Sequence, residues 1–469
     1  MHLKTSISTL CLLGLTYGLK AQQKPNIIHI IADDVSWDDF QCFGAPKIKT
    51  PNLDKLASQG MKFTSFYAPH ATSTPSRAAI LTGRYAPRVN NGAGLEVLFP
   101  YSKTGLEPEL EICLPRILKP LGYTSAVVGK WHLGHLPKYL PQAHGFDSFF
   151  GIPYPNDMGA ERRFGLTNIS QKLPPVPLIR DTTVIKLCDK YDLAELPHWF
   201  LREVIDFLAY RKQDGKPFYL HWGNIETHTP WFVPKGFEDR SADGVYGDAV
   251  EYFDYSVGVL MQALKELGME KNTIVVVTSD NGNITKSNLD LEMAYGKYAT
   301  LDTTRKHALR HGKGQTRYEG GPRVSCIMRW PGVIPENSTC NEIATGADLF
   351  TTFIKIAGAE IPIDRVIDGK NILPLMKGEK GAKVHEYFPG YQPFGTIMSI
   401  RKENWKLAVP SEKTWSIPAL DKCMLFDLNN DIGEKTDVSA KYPDKVKELS
   451  DLAKRVDEAI KNKKPLPEK

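Results

Sequence analysis

The sequence predicts an α/β protein built on a mostly parallel sheet with helices between its strands, followed by a smaller C-terminal α+β unit. Three observations predict this. Four apolar runs, at 26–32, 124–128, 217–222 and 273–278, have strand length and end abruptly in polar residues. Near-continuous apolar strands suit a parallel sheet buried on both faces. Helical patterns lie between them at 52–58, 114–121 and 248–267, and alternating β and α elements are the pattern of an α/β sheet. Beyond about residue 380 the texture changes to short strands and one amphipathic helix.

Each strand hands the chain to polar residues. The first is followed by Asp33-Asp34. The second is followed by Gly129-Lys130-Trp131-His132, the third by His228 a few residues on, and the fourth by Ser279-Asp280-Asn281-Gly282. After one strand such residues would read as a solvated loop. After four they predict a shared site, because sites in open α/β sheets gather beyond the carboxyl ends of the strands. In the C-terminal part, 396–401 and 405–409 read as strands around a Glu403-Asn404 turn, and 424–428 as another. Val446, Leu449, Leu452, Val456 and Ile460 recur at helical spacing, which predicts a packed terminal helix. The expected division is a leader over 1–21, a catalytic domain over 22–380 and a C-terminal subdomain over 381–469.

Composition excludes several classes. The 469 residues are 42% hydrophobic and 24% charged, which is neither a disordered nor a coiled-coil chain. The net charge of +5 is spread over interspersed residues, so no basic stripe for nucleic acid is present. Lys4, an apolar stretch from Ile7 to Leu19 and Ala21 before Gln22-Gln23 outline a secretory signal peptide. That stretch is too short to span a bilayer comfortably, so no stable membrane anchor is predicted. Cys11 lacks the small preceding residue of a lipoprotein site. An exported chain can form disulfides. Cys326 and Cys340 are the nearest local pair, with scattered core thiols the alternative.

The stretch from His70 to Arg84 carries the most chemistry. Pro75 suits the first turn of a helix, and Ser73 or Thr74 suits its cap. Ser73 then sits at a helix start, where free N–H groups favour an anion. Arg77, one turn in, reaches back. Asp33, Asp34, Asp280 and Asn281 are hard oxygen ligands, suited to calcium or magnesium and not to zinc. Lys130, Lys313 and Arg77 supply positive charge for an anionic group. His132 and His228 suit proton transfer near neutral pH.

Ser73-Thr74-Pro75-Ser76-Arg77 with Leu81-Thr82-Gly83-Arg84 resembles the signature of the type I sulfatases, in the alkaline-phosphatase-like superfamily. Asp33-Asp34, Gly129-Lys130-Trp131-His132-Leu133-Gly134, Thr227-His228-Thr229-Pro230, Ser279-Asp280-Asn281-Gly282 and Gly312-Lys313-Gly314 with Tyr318-Glu319-Gly320-Gly321-Pro322-Arg323 match in the expected order. Gly151-Ile152-Pro153-Tyr154 and the block from Val127 to Gly134 are most similar to arylsulfatase A and the galactosamine-6-sulfatases. The resemblance implies a large mixed sheet sandwiched by helices. It implies a sulfuric-ester hydrolase acting on a sulfated carbohydrate, with one calcium ion held by Asp33, Asp34, Asp280, Asn281 and Ser73.

The resemblance further implies that Ser73 is oxidised to formylglycine, whose hydrate attacks sulfur and then expels sulfate. Serine at this place, in place of cysteine, implies a bacterial enzyme matured by an anaerobic sulfatase-maturating enzyme. Arg77, Lys130, His132, His228 and Lys313 carry over as catalytic residues, and Lys130, His228 and Lys313 as substrate contacts. One departure stands out. Pro155-Asn156-Asp157 replaces the Ser-His-Asp run of arylsulfatase A-like members, which removes a serine ligand of the sulfate. The loops after Arg84, including Asn90-Asn91, and residues 135–180 are expected to set specificity. Two alternatives stand beside this reading: a phosphate or phosphonate ester hydrolase of the same superfamily, and an inactive protein that binds sulfated glycans.

Overall fold

Seven-residue strands in which every residue is buried cannot lie on a protein surface. Both β1 (Asn26–Ala32) and β8 (Thr273–Ser279) are of this kind. In the computed structural model, which describes residues 24–160, 173–285, 292, 296–302, 305–392, 395–413 and 418–468, they lie side by side in the middle of a sheet. The predicted leader, residues 1–21, lies outside the described residues.

The other strands of this sheet are β2 (Met61–Tyr67), β3 (Thr124–Lys130), β4 (Ser148–Ile152), β5 (Val176–Arg180), β6 (Thr183–Cys188), β7 (Phe218–Gly223), β9 (Arg323–Arg329), β10 (Ser338–Cys340) and β11 (Ala344–Thr345). The order is β10-β2-β9-β8-β1-β7-β3-β4-β5-β6, with β11 also on β2, so the sheet has 11 strands. The run β8-β1-β7-β3-β4 is parallel, while β9, β5 and β6 pair antiparallel. The mixed, mostly parallel sheet expected from the sequence is therefore present.

Helices cover both faces. Ile28 and Ile30 of β1 and Val275 and Val277 of β8 pack with α1 (Pro51–Ser58), α4 (Lys190–Asp214) and α5 (Gly244–Glu266). The alternate residues Ile27, Ile274 and Val276 pack with α2 (Ser73–Thr82), α3 (Leu114–Leu118) and α6 (Gly346–Ala357). Period-two alternation thus divides one apolar run between two cores.

A second, antiparallel sheet has the order β12 (Tyr387–Tyr391), β13 (Ile397–Lys402), β14 (Trp405–Ala408) and β15 (Met424–Asp427). Leu449, Leu452, Val456 and Ile460 of α7 (Pro443–Lys461) pack on it, as the helical spacing predicted.

The candidate disulfide is not formed. Cys326 and Cys340 both pair with Phe63, one from each side of β2. Two strand spacings put their Cα atoms about 10 Å apart, outside the range a disulfide bridges.

Glu319 joins the two sheets. It is fully buried and accepts hydrogen bonds from Tyr67 Oη at 2.6 Å, Arg323 at 3.2 Å and Lys406 Nζ of β14 at 2.6 Å. Arg401 of β13 donates to the same Tyr67 hydroxyl. Burial pushes the Glu319 carboxyl up, but Lys406, Arg401 and Arg323 outweigh it and hold it at about 2. Glu434 accepts from the Glu319 backbone N–H at 2.7 Å, and burial pushes its carboxyl up to about 8 against the pull of Lys406.

The folded chain therefore keeps the Glu434 proton to about pH 8, while the unfolded chain loses it near 4.5. The stability this contributes is fully present below about 4.5 and is lost as pH rises through about 8. Glu434→Gln should flatten the fall in melting temperature between these values, giving a variant more stable than the parent at pH 8.5. Thermal melts across pH check this; parallel curves for the two proteins would contradict it.

Candidate functional site

The register of the parallel strands levels their ends. Ala32 pairs with Ser279, Ile31 with Gly223, and Gly223 with Gly129. The next residues are Asp33, Asp280, Asn224 and Lys130, so four strands deliver polar groups to one place. The close approach of β3 and β7 needs glycine. Gly129 has φ +95°, and a Cβ there would lie 2.0 Å from the Gly223 carbonyl oxygen.

Ser73 opens α2 beside these ends and is buried. Its Oγ donates to Asp280 Oδ2 at 2.6 Å and lies 3.4 Å from Asp33 Oδ1 and 3.5 Å from Asn281 Oδ1. Lys130 Nζ donates to Ser73 Oγ at 3.1 Å and to both Asp33 oxygens at 2.8 and 2.6 Å. Neither Ser73 nor Thr74 caps the helix, contrary to the sequence expectation. The residue before the helix is Thr72, and no side chain caps it. Both hydroxyls are engaged elsewhere: Ser73 as above, and Thr74 Oγ1 with the Leu98 N–H at 3.2 Å.

Arg77 reaches back as expected, yet fully out of solvent. Its guanidinium holds Asp280 at 2.9 Å, Asp33 at 3.5 Å and the Lys130 carbonyl at 3.3 Å. Asp34, at φ +61°, is buried and accepts from Asn281 Nδ2 at 2.7 Å and Lys313 Nζ at 2.6 Å. Lys313 Nζ also lies 3.2 Å from His228 Nε2. Lys313 keeps 24% of its side chain exposed and His228 4%, so the site opens on their side.

His132 sits just beyond Lys130 with φ +59° and is buried. Its Nε2 faces the Leu98 carbonyl at 3.0 Å. The structure thus brings Asp33, Asp34, Ser73, Arg77, Lys130, His228, Asp280, Asn281 and Lys313 into one contact network, with His132 adjoining it.

Electrostatics follow from burial. Asp33 is pushed up by desolvation, but Lys130, His228 and Arg77 outweigh that and hold it below the usual carboxylate range. Lys130 is lowered by desolvation even against the attraction of Asp33. His132 is held well below the usual imidazole range, first by burial and then by the Lys130 charge.

The donor set suits a hard cation. Asp33, Asp280 and Asn281 present oxygens within 3.5 Å of the Ser73 hydroxyl, and Asp34 is tied to Asn281. Of the histidines, His228 joins Asp33 and Asp34 in a cluster able to hold an ion. A second cluster, Asp38, Asp39 and His307, is an ion-pair site: Arg305 holds Asp39 at 2.5 Å, and His307 holds Asp38 at 3.1 Å.

Two contributors escaped the sequence reading. Thr227 Oγ1 accepts the Asp33 N–H at 3.1 Å and donates to the Asp33 carbonyl at 2.7 Å. It stands in the Thr227-His228-Thr229-Pro230 motif, so a signal existed. Leu98 acts only through its backbone and gave none. The departing residue Asn156 is buried and donates to the Pro230 carbonyl at 3.2 Å, beside the turn that follows His228. Asn90 is engaged with Gly105 and Glu111. Part of the expected specificity region, residues 161–172, lies outside the described residues.

A family model described as Sulfatase matches residues 25–359, more than half of the chain. The chain belongs to the sulfatase family, a family of sulfuric ester hydrolases. A second model, the C-terminal part of N-sulphoglucosamine sulphohydrolase, matches residues 313–463 of this sulfatase. N-acetylgalactosamine-6-sulfatase of Rattus norvegicus is 38% identical over 76% of the chain, which spans 66% of that protein's length. Human arylsulfatase A is 34% identical over 90% of the chain and 85% of its own length. A solved structure from work on metabolism of multiple glycosaminoglycans by Bacteroides thetaiotaomicron is 28% identical, with a TM-score of 0.76, 93% of this chain and 100% of that one covered. The 11-stranded mixed sheet and separate antiparallel sheet of this sulfatase agree with that likeness.

Thr227→Val should loosen the Asp33 backbone. Two buried hydrogen bonds are lost and the Asp33 groups are left unpaired, at a cost of about 2–4 kcal/mol. The expected result is a lower melting temperature together with weaker divalent-cation binding by calorimetry, both restored by Thr227→Ser. Unchanged cation binding in a destabilised valine variant would show that Thr227 supports the fold and not the site.

Proposed function

We propose that this sulfatase removes sulfate from a carbohydrate, of galactose or N-acetylgalactosamine type or another glycan sulfate, after export from a bacterial cell. One observation carries the reading: a buried hydroxyl, Ser73 Oγ, held at once by the acids Asp280 and Asp33 and by the Lys130 ammonium. A group placed between cation ligands and a fixed positive charge is placed to attack an anionic ester. The likeness to N-acetylgalactosamine-6-sulfatase supports the sugar. The export reading rests on residues 1–21, and among the described residues no helix is long and apolar enough to cross a membrane. The same reading divides the remainder into a catalytic domain over 22–380 and a C-terminal subdomain over 381–469.

Ser73, converted to formylglycine by an anaerobic sulfatase-maturating enzyme, supplies the nucleophile in this reading. One calcium ion would be held by Asp33, Asp34, Asp280, Asn281 and the modified Ser73, and would neutralise charge on the sulfate. The chain's own residues divide the rest. Arg77 fixes the spacing of Asp33 and Asp280 from behind. Lys130 meets the sulfate beside the nucleophile.

His132 donates through Nε2 to the Leu98 carbonyl, which leaves Nδ1 as the basic nitrogen, with no protein partner among the described residues. Burial and the Lys130 charge keep that imidazole neutral, so its Nδ1 lone pair is not taken up by a resident proton. His228 donates through Nδ1 to the Thr229 carbonyl at 2.6 Å, so Nε2 faces outward toward Lys313. Burial pulls Lys313 down, but Asp34 and Asp33 outweigh it and keep the ammonium charged. The His228–Lys313 pair is the proton source for the leaving oxygen.

The deciding experiment is the intact mass of the Ser73 peptide with and without a serine-type maturase, read beside sulfate release. Loss of two hydrogens with gain of activity is expected. Full turnover by protein with unmodified Ser73, or an absolute need for two zinc ions, would overturn the reading.

The histidine roles have their own check. A sugar alkoxide leaves poorly unless protonated, while a phenolate needs less help. Positioned acids and bases contribute roughly 10²–10⁴-fold. At equal formylglycine content, His228→Ala should therefore slow a sugar sulfate far more than an activated aryl sulfate, and His132→Ala should slow both. Equal losses on the two substrates in His228→Ala would remove it as the leaving-group acid.

A further inference from the structure

Leu98 ties a surface turn to the heart of the site. Its N–H binds Thr74 Oγ1 at 3.2 Å, next to Ser73, and its carbonyl faces His132 Nε2 at 3.0 Å. The chain then makes a tight turn, Phe99-Pro100-Tyr101-Ser102. Ser102 N–H donates to the Phe99 carbonyl at 2.9 Å, and Phe99 N–H donates to Ser102 Oγ at 2.9 Å. Proline suits the second position of such a turn because its φ is already set.

This doubly closed turn stacks Tyr101 on Phe99. The ring centroids are 5.3 Å apart and the planes 5° from parallel. Phe99 is half-buried against the main core, whereas Tyr101 remains 51% exposed. Phe99 lies parallel to one side of the tyrosine, and half of Tyr101 remains open to solvent. Three residues span at most about 10 Å, which keeps Tyr101 close to the Leu98 anchor and hence to Ser73.

Single exposed tyrosines are common on protein surfaces, but this one is held flat on a second ring in a turn whose first anchor, Leu98, touches both Thr74 and His132. The apolar face of a sugar ring is a suitable partner, since its C–H groups meet the negative face of the aromatic ring. Lys313 and His228, by contrast, offer only charge and hydrogen bonds.

We propose that the Phe99–Tyr101 stack is a carbohydrate platform that binds the sugar adjoining the sulfated one, so that the preferred substrate is an oligosaccharide and not a monosaccharide. The proposal rests on the reading of the site as a glycan sulfatase. The sulfated group enters between Lys130 and Lys313. The neighbouring ring lies flat on Tyr101, and Pro100 with the two turn hydrogen bonds keeps the platform from collapsing onto the opening.

The test uses the full-length, formylglycine-containing enzyme and three probes: 4-nitrophenyl sulfate, N-acetylgalactosamine 6-sulfate, and an oligosaccharide ending in that sugar. The readout is the ratio of kcat/KM for the oligosaccharide to kcat/KM for the aryl ester. Tyr101→Ala should lower this ratio about tenfold, mainly through KM, and Tyr101→Trp should keep it near the parent value. The monosaccharide ratio should move much less than the oligosaccharide ratio.

A ratio within about twofold of the parent in Tyr101→Ala, or an equal fall for monosaccharide and oligosaccharide, would overturn the platform while leaving the glycan reading intact. A parent enzyme that cleaves the aryl ester but frees sulfate from no sugar would overturn the glycan reading, and the platform with it.

Discussion

Six charges meet in a space almost closed to water, and most of the site's geometry follows from their mutual neutralisation. Asp33, Asp34 and Asp280 face Arg77, Lys130 and Lys313. A buried ion pair adds little net stability, but removing one partner leaves a charge that nothing compensates. Each side chain is therefore confined by the others. The sheet makes this possible, because parallel register sets Asp33, Asp280 and Lys130 at the same level. Carboxylate oxygens each carry more than one acceptor site, so the same acids can hold lysine, arginine and a hard cation together.

Lys313 reaches this cluster from another direction, and its placement depends on the second sheet. Its backbone N–H binds the Asn283 carbonyl at 2.8 Å, and the Gly314 N–H binds the Ala71 carbonyl at 2.6 Å. Farther along the same loop, Ser399 donates to the Thr316 carbonyl at 3.0 Å and Lys406 holds Glu319. The loop is clamped between the Ser73 and Asp280 segments on one side and the antiparallel sheet on the other. At Gly282 a Cβ would lie 1.9 Å from the Gly320 carbonyl oxygen, so the two loops approach as closely as glycine permits. The C-terminal sheet is in this sense part of the site, although it contributes no residue to it.

Legibility in the sequence tracked how local the physical cause was. The four apolar runs became the four adjacent strands β8, β1, β7 and β3, because burial on both faces leaves an unmistakable composition. Helix α7 showed its spacing because burial on one face alone leaves a helical period. The hairpin β5–β6 did not show, since Thr183 to Lys186 are exposed on a sheet edge and carry no burial pattern. Helix α4 was obscured by Pro197 within it. At the site, motifs marked the charged side chains, but Leu98 acts through backbone groups that any residue would supply. Of the two readings of Cys326 and Cys340, the core-thiol one holds, because proximity in sequence does not reveal that β2 runs between them. The capping assignment failed because a tertiary demand on Ser73 and Thr74 outweighed a local preference.

That last failure carries the chemistry. Thr72, in the position where a hydroxyl usually closes a helix, instead directs its Oγ1 to His70 Nδ1 at 2.9 Å. Pro75, in the first turn, has no N–H to offer. The positive end of the α2 dipole is thus not spent on a capping side chain, and it lies under Ser73, the first helical residue. Lys130 adds a full charge at 3.1 Å from the Ser73 hydroxyl. An uncapped helix start is a loss for the fold of about 1 kcal/mol. The same omission leaves an electrostatic field that favours negative charge on whatever group residue 73 carries, and on an anion that approaches it. A local defect in helix formation and a charged pocket are therefore one feature of the chain, set by where its hydroxyl groups are directed.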